Sequence, residues 1–428
     1  MGVFEDIMAH SSRRPSGLAG VLEAARPLPL NIRKTTNSTL TSNMWELELL
    51  PPRSIERLRG AIAGLSKRAL EPNLFFEPEV VSAAWPRLSS LLAPAGSWML
   101  CLWETTGTHR LLRLFMPFRI ARIGLPKQTV LEVLSNDYLP LGTPLVDREN
   151  PDEAFETLFR LLSDPHLRLP DLLNLTHQRK DGAVMACMVR AMKTLGLPHA
   201  VYHQTQRAAL KVSDDPQNFL KNQLGNKRFR ELNRQWRRLA DTGNLTFSIT
   251  KTQNELFNAF EKFLTLELKS WKGRRGTALY NQRQVTAFSR QIVADLAASG
   301  GSEIALLTLD ERPIAALILL SRDGWVMPWK IAYSEEHRAF SPGMQLMFHT
   351  TKALIERKDF IMADSLAVAD HWMMNRVWPD KLTMGDVMVG LSSQAKPDLH
   401  KALRAVERRD TMKHRLKQWL SMDRRKKR

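Results

Sequence analysis

The chain predicts a mixed α/β fold: a sheet covered by helices, with the element order run through twice and a basic helix between the halves. Three observations predict it. Short apolar runs alternate with longer amphipathic stretches along most of the chain. In the second half, apolar runs at 303–309, 313–320 and 325–331 are joined only by Asp310-Glu311-Arg312 and Asp323-Gly324, the pattern of a three-strand meander. A looser version of the same order occupies the first half.

In the first half, 45–50 reads as a strand and 55–70 as a helix. Strands follow at 98–103, 110–118 and 129–134, then a helix at 153–162, a strand at 171–176, a helix at 183–195 and a strand at 200–205. Residues 217–241 make one basic helix, ended by Gly243. In the second half, a strand at 245–250 leads to a helix over 253–268, a Gly/Arg/Lys-rich loop and a helix over 282–298. After the meander come a helix at 342–357, a strand at 360–366, a short helix at 370–378 with Asp370 as its N-cap, and a last strand at 382–390. The expected divisions are a flexible segment 1–43, a first domain 44–215, a connecting helix 216–243, a second domain 244–395 and a basic helix or tail 396–428. No close residue-level repeat accompanies the repeated element order.

Length and composition are those of a globular chain: 428 residues, 43% hydrophobic and 25% charged. The two cysteines, Cys101 and Cys187, lie in apolar surroundings and read as buried thiols of a reducing compartment. No metal-ligand spacing appears among the histidines, so no metal is expected. The N-terminus lacks a secretory apolar core and the longest apolar run, 314–320, is too short to span a bilayer, so the chain is expected to be cytoplasmic. The net charge of +18 is concentrated: 221–238 holds seven Lys and Arg against Glu231, and 401–428 holds twelve against Glu407, Asp410 and Asp423. Such clusters face anions, namely RNA, an acidic lipid surface or a phosphorylated cofactor, or else form a solvated helix face.

The sequence Arg338-Ala-Phe-Ser-Pro-Gly343 stands between the strand 325–331 and the helix that follows. A helix entered in this way presents unpaired first-turn N–H groups and the positive end of its dipole, which suits pyrophosphate. The plainer reading is an ordinary helix start with Ser341 as N-cap and Pro342 in the first position. Upstream, Lys269-Ser-Trp-Lys-Gly-Arg-Arg-Gly-Thr-Ala-Leu279 places four cations in seven residues, interrupted by Gly273 and Gly276. Glycines would let the backbone approach an anion, and arginines bind phosphate in two-point fashion; the alternative is a solvated basic loop.

Together with Asp364, Trp378, the basic helix around 227–238 and Asn73-Leu-Phe-Phe76, these blocks resemble the CelD-type (BioF-like) acetyltransferase family. That family belongs to the GNAT superfamily and is related in fold to the FemAB transferases. The resemblance covers about 215–391 most fully and 45–215 more weakly. It implies tandem GNAT-like domains joined by the basic helix, the first degenerate because Leu141-Gly-Thr-Pro144 makes a poor phosphate turn. It also implies an N-acyltransferase taking acyl-CoA as co-substrate and an amine acceptor, such as an amino sugar or another glycan or cell-envelope precursor.

On that reading Arg338, Ser341, Gly343 and Met344 contact the cofactor, and Trp271, Lys272, Arg274 and Arg275 face the substrate. Asp364 takes a proton from the amine or orients it, the alternative being a surface or helix-capping aspartate. Tyr333 protonates the leaving thiolate, the alternative being a ring packed against Phe340; and His349, inside its helix, reads as structural. The resemblance further implies that the fourth strand parts from its neighbour to admit the pantetheine arm. Pro328, which cannot donate to a ladder, marks an edge or bulge there. The chain departs from the family pattern at Ser341 (usually glycine), at Pro342, and at 370–376, where a Tyr-Lys pair is missing. Two alternatives stand beside it: an aminoacyl-tRNA-dependent transferase gripping RNA through 221–238, and a non-catalytic binding or assembly protein. The basic tail would suit peripheral contact with an acidic membrane.

Overall fold

The computed structural model describes residues 32–37, 43–92 and 96–426, and the chain divides into two compact units. The first is drawn from Ala24–Pro78, Ser89–Thr205 and Thr383–Arg428, the second from Glu79–Leu88 and Gln206–Leu382.

The first unit is built on β1 (Ile32–Asn37), β2 (Met44–Leu50), β3 (Trp98–Thr106), β4 (His109–Ile123), β5 (Gln128–Val133), β6 (Leu145–Val146), β7 (Leu172–Arg179) and the start of β8 (His199–Lys211). The order is β1-β2-β3-β4-β5-β7, with β6 on β4; β5–β7 is parallel and the other pairs antiparallel. Strand β3 is buried over seven consecutive residues, Trp98 to Glu104, as expected of a strand covered on both faces. Helices α1 (Ile55–Arg68), α3 (Pro151–Leu162) and α4 (Ala183–Thr194) supply the cover, and α2 (Pro78–Leu92) lies between β2 and β3 in sequence.

The second unit begins at α5 (Phe219–Leu224) and α6 (Asn226–Ala240), after the last residues of β8. It continues through β9 (Leu245–Thr250), α7 (Gln253–Lys269), α8 (Trp271–Arg274), α9 (Arg283–Ala297), β10 (Ser302–Leu309), β11 (Arg312–Arg322), β12 (Trp325–Tyr333), α10 (Pro342–Ile355), β13 (Met362–Asp364) and α11 (Trp372–Val377). Strands run β8-β13-β12-β11-β10-β9, antiparallel apart from β12–β13. The core gathers Leu307, Leu317 and Leu319 from the sheet with Leu346, Met347 and Leu354 of α10, and Val377 and Trp378 close it. The meander and its two turns stand where the sequence placed them, and the mixed α/β class is the one observed.

Several elements differ from the sequence reading. The basic stretch is two helices, because Gly225 adopts φ 74° and closes α5 with its N–H on Lys221 O. Four elements, β1, β6, α2 and α8, were not anticipated; β1 lies inside the segment expected to be flexible and pairs residue for residue with β2. Residues 360–366 keep only three strand residues, in β13. The last strand, β14 (Asp380–Gly390), pairs with β7 and so extends the first unit's sheet.

The long α12 (Lys396–Lys426) also belongs to the first unit. Its Leu399, Ala402 and Val406 pack on Ala121, Ile123, Val130, Leu172 and Met388. Gly124 permits this seat: a Cβ there would lie 2.6 Å from the Ala405 backbone.

Candidate active site

Strands β12 and β13 pair only through Trp325–Met362 and Val326–Ala363 among the described residues. From Met327 onward β12 runs on without that neighbour among the described residues, so the ladder between the two strands has a gap toward the C-terminal end of β12. On its other side β12 stays paired with β11, but the register shifts between Ile318 and Leu319, leaving Trp329 as an extra residue beside Pro328. This is a β-bulge, and it stands where Pro328 predicted an edge or a bulge.

The chain leaving β12 passes through a 3-10 turn (Arg338–Phe340) into α10. Ser341 is the N-cap residue by position, yet it lies in the left-handed region at φ 53°, ψ 53° and its side chain makes no cap hydrogen bond. Its carbonyl accepts the Gln345 N–H at 3.0 Å. The plain capping role read from the sequence is therefore absent, and the first-turn N–H groups of Gly343 and Met344 stay uncapped by it. The left-handed conformation accounts for the glycine in the related pattern; here serine takes it at some cost in strain. Gly343 answers a second constraint, since a Cβ there would lie 2.8 Å from Tyr333 Cδ1. Helix α10 thus starts against the Tyr333 ring, at the C-terminal end of β12. Arg338 is exposed beside this turn.

The basic block 269–279 has a different role from the one its charge suggested. Lys272 Nζ donates to Ile331 O of β12 at 2.8 Å and to the buried Glu267 carboxylate at 3.1 Å, whose other oxygen accepts the Leu279 N–H at 2.8 Å. Lys272 is a tie between α8 and β12, which corrects its assignment as a free substrate contact. Gly273 abuts α7, since a Cβ there would fall 1.7 Å from Leu268 O; close helix packing, and not approach to an anion, requires glycine there. Glu335 accepts the Trp271 N–H at 2.9 Å and an Arg274 N–H. Arg275 lies over the Trp271 ring at 5.1 Å. Arg274 and Arg275 are exposed at the end of α8, and Trp271 is half-buried.

Asp364 ends β13 and is buried. Its carboxylate is ion-paired with Arg207 of β8 and accepts the Leu366 N–H at 3.0 Å. The sequence offered a surface or helix-capping aspartate as the alternative to a base; the structure shows neither exposed nor capping geometry, but a buried ion pair. Arg207 is itself buried, and its Nε finds no partner among the described residues. An orphaned buried donor is what a bound group would satisfy.

Two further residues escaped the sequence reading. The N-cap of α11 is His371, not Asp370: its Nδ1 accepts the Met374 N–H at 3.3 Å. Burial, aided by the Lys272 ammonium, holds its pKa below the usual histidine range. The ring is therefore neutral, and with Nδ1 accepting, Nε2 carries the hydrogen. The second is Gln345, buried in α10, which donates to Leu232 O of α6 at 2.8 Å and fixes the basic helix beside the turn. The Phe229–Phe348 and Trp236–His349 ring pairs, at 5.8 and 4.1 Å, extend that contact. His349 is packed among rings, burial pushing it down to about 4, which agrees with its expected structural role.

Comparison with known proteins adds three findings. Residues 226–372 match the model of the acetyltransferase (GNAT) domain. The chain is similar to a crystal structure of FemX, at 12% identity and a TM-score of 0.52 over 80% of this chain and 98% of that one. It also aligns with the C-terminal domain of a putative lysylphosphatidylglycerol synthetase from Agrobacterium fabrum, at 11% identity and a TM-score of 0.48, over 83% and 97%. No curated protein matches. The second unit therefore carries a GNAT acetyltransferase domain, a domain of the acyltransferase class, and the likeness to FemX speaks for the fold.

Proposed function

We propose that the second unit is an N-acyltransferase centre of the CelD type that transfers an acyl group from acyl-CoA to an amine. One observation carries the reading: β12 leaves β13 after two residue pairs, and the gap opens at the start of α10, where first-turn N–H groups lack a side-chain cap. The pantetheine arm would enter that gap. Gly343 and Met344 would offer N–H groups to the pyrophosphate, with the helix dipole and exposed Arg338 adding positive charge.

In the reaction the amine nitrogen attacks the thioester carbonyl, the C–S bond breaks, and the oxyanion between these events needs donors on its oxygen. Backbone N–H groups of β12 beyond its pairing with β13 would serve that purpose, the strand being held in place by Lys272. The departing thiolate takes a proton from Tyr333, which touches Gly343, and the proton that the attacking nitrogen sheds restores the phenol. Asp364, committed to Arg207, acts as a positioning residue for the acceptor and not as the free base. An amino sugar or another glycan precursor is the acceptor class proposed, and supply of acyl-CoA would place the reaction in the cytoplasm.

A second reading has its own observation. Helix α6 lies along α10 beside the same turn, with Lys227, Arg228, Arg230, Arg237 and Arg238 exposed. That surface suits an RNA-borne acyl donor. The two are separated by measuring thiol release from acetyl-CoA with a panel of amines. Amine-dependent release, lost in Arg338→Ala, supports the first reading; no release, with consumption of an aminoacyl-tRNA instead, supports the second.

A further inference from the structure

The distal half of α12 carries chemistry that acyl transfer does not use. The helix is seated on the first unit through Leu399, Ala402 and Val406, and further along Asp410 ties it there, its carboxylate meeting His203 Nε2 at 2.6 Å. Beyond it, every residue of 411–419 is exposed. Met412, Leu416 and Trp419 are 61, 56 and 64% exposed, and their spacing of four and three residues puts them in one stripe along the helix. Lys413, Arg415 and Lys417 stand exposed around that stripe. In sequence, 411–428 holds eight Lys and Arg against Asp423 alone.

A helical segment of that length is marginal in water without packing, and a stripe of Met, Leu and Trp calls for cover. A second copy covers it poorly. The stripe is interrupted by Arg409 on one side and Asp423 on the other, well short of the repeats a coiled coil needs, and pairing would bring like charges together. Nucleic acid would use the cations and leave Met412 and Leu416 in water. An anionic bilayer surface satisfies both features: lipid phosphates meet the cations, the stripe enters the acyl boundary, and tryptophan sits at the interface.

We propose that the distal half of α12 is a surface anchor that lies in the headgroup layer of an anionic membrane and holds the protein there peripherally. The inference does not depend on the acyl-transfer reading. Flotation of the full chain with vesicles tests it, comparing phosphatidylcholine alone with a mixture containing roughly one-third phosphatidylglycerol. The protein is expected to float with the anionic vesicles only, and less as salt rises. Leu416→Ala with Trp419→Ala is expected to lower the bound fraction at least about tenfold, as is Lys413→Glu with Lys417→Glu; both pairs are exposed and leave the seat on the first unit untouched. Failure to float with anionic vesicles overturns the proposal, as does flotation that both variants leave unchanged. It is equally overturned if Leu416→Ala with Trp419→Ala abolishes a dimer in solution or RNA binding while lipid binding persists.

Discussion

Gly343 and the Arg207–Asp364 pair carry the most specific consequences at the scale of single residues. A methyl group on Gly343 would press on the Tyr333 ring, so Gly343→Ala is expected to destabilise the second unit by about 1–3 kcal/mol and to raise the KM for acyl-CoA; thermal melting and steady-state kinetics read the two effects. Ser341→Gly is expected to do the opposite, relieving left-handed strain of about 1 kcal/mol without loss of donor binding. Arg207→Ala would strand the buried Asp364 carboxylate. It is expected to cost about 3–5 kcal/mol in denaturant unfolding, and Arg207→Ala with Asp364→Ala less than Arg207→Ala alone.

At this scale the sequence was a partial guide. Residue type and position pointed to Gly343, Tyr333 and Asp364. It misled at Lys272, because a cation next to glycines looks alike whether it waits for phosphate or ties two elements together. It was silent on Arg207, whose partner lies 157 residues away.

Among the elements, the turn into α10 and the seat of α12 make separate predictions. Arg338 is exposed, so Arg338→Ala is expected to leave the melting temperature unchanged while weakening CoA binding by roughly tenfold, an effect that salt diminishes. The α12 seat responds to pH. His203, itself at φ 48°, lies between Asp386 (2.8 Å) and Asp410 (2.6 Å), against the Tyr202 ring, with Arg409 on Asp410. The hydrogen bond to Asp386, then that to Asp410, raises the His203 pKa against the effect of burial. Burial pushes the Asp410 carboxyl up, but its bonds from His203 and Arg409 outweigh this and lower it.

A raised folded-state pKa gives stability that is full below the unfolded histidine value and is lost as pH rises through the folded one. The depressed Asp410 contributes above the unfolded carboxylate value and is lost as pH falls through its folded one. The clasp is therefore expected to hold between these limits. Protection of the α12 amides around Asp410, taken as exchange relative to the intrinsic rate at each pH, should fall as pH climbs past the folded His203 value, and His203→Ala should remove that fall. Periodicity locates α1, α3, α4, α7, α9 and α10 and the three meander strands of the second half, but not α2. It could not foresee the break at Gly225 or the short β13, because turn closure and loss of a sheet neighbour leave no period in the sequence.

For the whole molecule, the chain order and the units differ in two places: Glu79–Leu88, within α2, counts with the second unit, and the C-terminal elements count with the first. β14 and α12 follow the second half in sequence but complete the first unit. Strand pairing of this kind is set by which sheet edge accepts a strand, and an apolar run says nothing of its partner. The mixed α/β class was legible because alternation and turn chemistry agree along most of the chain. The gap beside β12 was legible only as far as Pro328, which marked irregularity without saying on which side the strand would open.

The central claim, that this gap and the uncapped start of α10 hold acyl-CoA, is tested most directly by calorimetric titration of the full chain with CoA, beside Arg338→Ala. The account predicts saturable one-site binding that Arg338→Ala weakens roughly tenfold. Absence of CoA binding at millimolar ligand, or binding that Arg338→Ala leaves unchanged, would contradict it.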